Sequence, residues 1–95
     1  MNGSHVALKE LFNTIWALAD QENFAAINKM FQDKRPAEQT PWEMIALLRY
    51  SYSIRHHISE YYIYLDSVAQ ELRLRGLDVE RMLFGLPVYS IDRYP

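Results

Sequence analysis

No cysteine occurs in the 95 residues, which excludes disulfides and thiolate metal sites and allows a reducing compartment. No stretch approaches the roughly eighteen continuous apolar residues that a membrane span needs. No basic stretch followed by an apolar run opens the sequence, so no signal peptide is expected. Cytoplasmic residence is the default expectation, with no membrane partner. An excess of one charge is lacking as well. The net charge of −2 and pI near 5.9 give no support to a nucleic-acid or anionic-membrane partner. There is no glycine-rich phosphate loop, no nucleophile motif and no specific paired-carboxylate pattern. Internal repeats and low-complexity runs are absent too. Glycine and proline number only three and four, and none falls between Trp42 and Arg75.

That uninterrupted stretch organises the chain. Thr40-Pro41-Trp42-Glu43 reads as a helix start, with Thr40 and Glu43 placed for a capping box and Pro41 at the first helical position. Met44, Leu47, Ser51, Ile54, Ile58, Tyr61, Leu65, Val68 and Leu72 then recur at steps of three and four, a heptad seam. Gly76 suits a left-handed helix end, with Arg73 and Arg75 in the last turn. The spacing predicts one helix over 41–75, about 50 Å long. Glu60 to Leu65 is β-prone, and a chain break near Ser59 is the competing reading. The seam keeps its phase across Ser59, which favours continuity. Leu48, Tyr62, Ala69, Tyr50 and Tyr64 flank the seam, so at 61–65 the helix is apolar round most of its circumference. Such a collar calls for more than one packing neighbour.

Upstream, Leu8, Leu11, Ile15 and Leu18 predict an amphipathic helix over 5–19, widened by Phe12, Trp16 and Ala19. Met1 to Ser4 reads as a frayed end, with Ser4 as a plausible cap. Phe24, Ile27, Met30 and Phe31 continue out of phase as a second helix over 21–33, with Asp20 its expected cap; one bent helix over 5–33 is the alternative, since no glycine or proline forces a separation. Residues 34–39 form a loop around Pro36. Downstream, a short helix over 78–84 stops at Gly85 and Pro87, followed by an extended tail over 86–95.

The expected architecture is all-α and one domain over 1–95. An N-terminal helical region packs antiparallel on the long helix, and two such hairpins pair as a homodimeric four-helix bundle. The expected core is Leu8, Leu11, Ile15, Leu18, Phe24, Ile27, Met44, Leu47, Ile54, Ile58, Tyr61, Leu65, Val68 and Leu72.

His56 and Glu60 are four apart and His57 and Glu60 three apart, a spacing that suits zinc or iron ligation from a helix. A metal site needs three or four ligands, however, and the rest of the chain offers only His5 and scattered acids. An exposed His–Glu pair is the better reading, so no metal and no cofactor are expected. The arginines at 49, 55, 73, 75 and 81 are interleaved with acids, as in an ordinary salt-bridged surface. Tyr50, Tyr52, Tyr62 and Tyr64 are the candidate binding surface, because tyrosine combines apolar area with a polar tip.

Arg55-His56-His57-Ile58-Ser59-Glu60-Tyr61 loosely resembles the arginine-to-histidine motif of HEPN-type helical ribonucleases. The resemblance covers under ten residues, and Glu60 stands where that family has its catalytic histidine. It implies RNA cleavage at a dimer cleft by Arg55, His56, His57 and Glu60. With no catalytic constellation on the page, the first expectation is a non-enzymatic interaction or regulatory module with a protein partner. The ribonuclease and a small-ligand-binding bundle are the alternatives.

Overall fold

In a computed structural model the backbone is described for residues 2–84 and the side chains for residues 7–83. All elements among the described residues are helical. They are α1 Asn2–Asp20, α2 Phe24–Asp33, α3 Pro41–Ser51, α4 Tyr61–Leu74 and α5 Val79–Phe84. Short 3-10 turns at Pro36–Glu38 and Tyr52–His57 flank α3. None of the described helices is long and apolar enough to cross a membrane. The stop at Gly85 and Pro87 and the tail over 86–95 lie outside the described residues.

Local chemistry sets most helix ends. The Thr40–Glu43 capping box forms as expected, with N–H donors reaching Thr40 Oγ1 at 3.2 Å and Glu43 Oε1 at 2.8 Å. Gly76, at φ 76°, closes α4 with paired bonds from Gly76 and Leu77 N–H to the Arg73 and Leu72 carbonyls, each 2.9 Å. Arg75 binds Glu71 at 2.8 Å and the Pro36 carbonyl at 3.0 Å, tying the end of α4 to the first 3-10 turn. Two expected caps are displaced. α1 begins at Asn2, ahead of Ser4. At its other end Asp20 is the last residue of α1 and not the cap of α2. Glu22 and Asn23 N–H groups bond back to Ala19 and Leu18, with Glu22 in the left-handed conformation at φ 55°. That reversal uses residues 21–23, so the cap falls on Asn23, which accepts from Ala26 N–H at 3.3 Å.

The single helix over 41–75 does not exist. α3 ends at Ser51, residues 52–57 tighten to 3-10 geometry, and α4 starts only at Tyr61. The longest extent of the molecule, 38 Å, is too short for a rod of about 50 Å. No glycine or proline makes the break. Tyr52 N–H turns to the Arg49 carbonyl, which takes it from its helical acceptor at Leu48. Buried Ser51 donates its hydroxyl to the Leu47 carbonyl at 2.6 Å, a back-bond of the kind that bends helices. The Tyr61 hydroxyl reaches the Leu48 carbonyl at 3.4 Å, so the acceptor freed by the break is met from α4. On the far side, Asn28 of α2 accepts from Glu60 N–H at 2.8 Å and from Ser59 Oγ at 3.2 Å. Asn28 thus caps α4 from another helix. Asn28→Ala is expected to lower the unfolding free energy by about 1–2 kcal/mol, the worth of a good N-cap. It should also speed amide exchange at Glu60 and Tyr61 ahead of the rest of α4.

The chain turns back at the break, so α4 packs on α2, α3 and α5, while α1 packs on α2 and α3. One core results, built from Ile15 of α1, Ile27 and Phe31 of α2, Met44, Leu47 and Leu48 of α3, Ile58 in the link, and Tyr61, Tyr64, Val68 and Leu72 of α4. Phe31 sits edge-on to Tyr61 and Tyr64, with ring centroids 5.9 and 5.1 Å apart. Every residue of the expected core is buried or half-buried. Phe31, Ile45, Leu48 and Tyr64 are buried in addition. The 61–65 collar is covered from within the chain at Tyr61 and Tyr64, and only Tyr62 and Ile63 are exposed.

Candidate functional site

The break decides what happens to the histidine patch. Arg55, His56 and His57 lie in the 3-10 turn, whereas Glu60 precedes the next helix, so the shared helical face that joined them is gone. The Arg55 guanidinium lies 3.8 Å from the centroid of the Tyr52 ring and donates to the Tyr52 carbonyl at 2.7 Å. His57 stacks flat on Phe24 at 4.3 Å, and His56 is exposed. Among the described residues no group of three or more His, Asp or Glu side chains is placed to hold a metal ion.

The four candidate tyrosines do not converge either. Tyr64 is in the core, with its hydroxyl donating to Gln39 Oε1. Burial pushes its phenol well above the ordinary range, and the nearby Glu43 carboxylate adds to this. Tyr52 packs edge-on against buried Tyr61, whose phenol is likewise pushed up by burial and then by Tyr52. Tyr62 is exposed on the other side of Tyr61. Tyr50 lines a concave surface.

That surface is a groove of about 300 Å³ where α1, α3 and α5 meet. Ile45 and Ala46 of α3 and Met82 of α5 give it an apolar lining. Leu8 contributes from α1, Tyr50 from the end of α3, and Arg49 and Arg81 bring two cations. Trp42, which also lines it, is 70% exposed. A second depression of about 370 Å³, lined by Leu8, Lys9, Phe12 and Tyr50, adjoins through the shared Leu8 and Tyr50. Phe12 is edge-on to Tyr50 at 4.8 Å and tilted on half-exposed Trp16 at 5.9 Å. An aromatic track therefore runs from Trp16 through Phe12 and Tyr50 into the Trp42 groove.

Sequence reasoning found Tyr50 and missed Trp42, Phe12 and Trp16 as surface residues. Phe12 and Trp16 carry a visible signal, since they stand four apart beside the α1 seam. Arg81 and Met82 carry none, because only the reversal at 52–60 brings α5 to α3. On a straight helix the end of the rod would lie about 50 Å from Trp42. No protein-family model, curated protein or solved structure matches this chain.

Proposed function

We propose that the chain is a small non-enzymatic interaction module that holds an apolar, acid-bearing segment of a protein partner in the Trp42 groove. The observation that carries this reading is Trp42 itself. A ring of that size left 70% exposed at an apolar groove gains most from a partner that covers it. Arg49 and Arg81 select for acidic residues on that partner. The groove volume lies at the lower limit for small-molecule pockets, and Trp42 stands out in solvent rather than closing the space, which favours a peptide over an enclosed ligand. The ribonuclease reading loses its support because its residues no longer share one helix.

A homodimer formed by two long hairpins requires the unbroken helix. Pairing of two copies is therefore the weaker reading, with Tyr62 and Ile63 its only remaining exposed part of the collar. The interaction reading is tested by selecting displayed random short peptides on the full chain. The expected result is convergence on apolar or aromatic residues flanked by Asp or Glu, with binding at least tenfold weaker to Trp42→Ala and weaker again at high salt. No convergence, or convergent peptides that bind Trp42→Ala unchanged, overturns it.

A further inference from the structure

We infer that two copies of this chain exchange α4 and α5, with the link over 52–60 as the hinge that straightens into a continuous helix. The first observation is the link itself. It holds no glycine or proline, so nothing in it bars an α-helix. Its 3-10 geometry is a form that often marks a hinge. Tyr52 (φ −58°, ψ −42°) and Glu60 (φ −82°, ψ −7°) are still right-handed helical, whereas Ile58 (φ −113°, ψ 95°) is extended. Straightening therefore returns Ile58 to helical dihedrals and relaxes the 3-10 turn to α. The second observation is the seam. Its spacing runs from Met44 to Leu72 without a slip, so a straight rod over 41–75 carries one apolar stripe along its length. A second copy can cover that stripe. Leu48 and Tyr61, in contact across the reversal, lie equally far along the chain from its midpoint at 54–55. Two rods laid antiparallel about that point set Leu48 of one against Tyr61 of the other. The core contacts of α4 with α2 and α3 are then remade between copies, which makes an exchanged element a low-cost route to a dimer. α5 travels with α4, so Arg81 and Met82 of one copy complete the Trp42 groove of the other. The third observation is a latch. Asn28 accepts from Glu60 N–H at 2.8 Å, and in a continuous helix that N–H belongs to the His56 carbonyl. The Asn28 bond exists only while the link is bent, so it holds the closed chain.

The test refolds the full chain from urea across a wide range of concentration and reads its mass by light scattering. The expected result is a dimer that grows with concentration and persists on later dilution, because reversal requires α4 to leave a core. Refolding isotope-labelled and unlabelled chains together then locates the Phe31–Tyr64 ring contact, 5.1 Å between centroids in the closed chain. In the dimer it should join different copies. Asn28→Ala should raise the dimerisation constant at least tenfold, since each dimer releases two latches. Ser53→Ala, at an exposed position of the link, should raise it severalfold through helix propensity alone. Ser59→Pro should abolish the dimer. Ile58 already has the extended geometry that suits a residue before proline, whereas a helix running through 59 does not admit one. A monomeric mass for the parent, Asn28→Ala and Ser53→Ala at every concentration overturns the inference. So does a dimer whose Phe31–Tyr64 contact stays within one copy, or a dimer that Ser59→Pro leaves unchanged.

Discussion

Phe31→Ala is expected to lower the unfolding free energy by about 3–5 kcal/mol, the usual loss for truncating an enclosed aromatic residue. Phe31 is 3% exposed and lies edge-on to two further buried rings, so the cavity has little to collapse into it. Edge-to-face pairs add roughly 0.5–1.5 kcal/mol beyond area, which places the loss towards the upper end. A domain of this size holds only about 5–15 kcal/mol in total, so the variant should be partly unfolded well below the parent's melting temperature. Phe31→Leu keeps most of the volume but loses both edge-to-face pairs, and should lose about 1–3 kcal/mol. Urea unfolding of the three proteins checks the ordering. A loss near 1 kcal/mol for the alanine variant would mean that α2 does not close over α4.

The second large effect is alkaline. Tyr61 and Tyr64 are 1% and 4% exposed, and burial raises both phenols above the ordinary tyrosine value of about 10. Above that value the unfolded chain releases phenolic protons that the folded chain retains, so stability falls as pH rises. The contribution is intact below about pH 10. Beyond it, stability falls by at most about 1.4 kcal/mol per pH unit for each phenol that stays protonated in the folded chain. Urea titrations across that range should show the slope, and Tyr64→Phe should halve it. A flat stability from pH 10 to 12 would show that these hydroxyls reach solvent.

How much of this was legible depended on whether the cause was local. The Thr40 capping box and the Gly76 stop need only neighbours within a few residues, and both stand where the sequence puts them. The 44–72 seam predicted burial correctly and geometry wrongly. Ser51, Ile54, Ile58 and Tyr61 keep their phase because the chain on both sides of the break faces one core. Periodic burial therefore does not prove a continuous helix. Part of what holds the break comes from afar: Asn28 is 31 and 32 residues from its partners Ser59 and Glu60. The same limit applies to the groove. Tyr50 could be picked out by type, but Trp42 and Met82 become neighbours only through the fold. Tyr64 looked like a surface tyrosine because nothing nearby in sequence announces Phe31 and Gln39 as its partners.

The central claim is that the chain reverses at 52–60, closing the core from within and building the Trp42 groove. The most direct measurement is the nuclear Overhauser effect between the Tyr61 ring and the Leu48 side chain in solution. The Tyr61 hydroxyl lies 3.4 Å from the Leu48 carbonyl across a separation of 13 residues, a separation that a straight helix would stretch to about 20 Å. A cross-peak between them, with sequential helical contacts interrupted at 58–60, is the predicted result. Unbroken helical contacts from Trp42 to Arg75 without that cross-peak would contradict it, restore the long rod, and remove the groove.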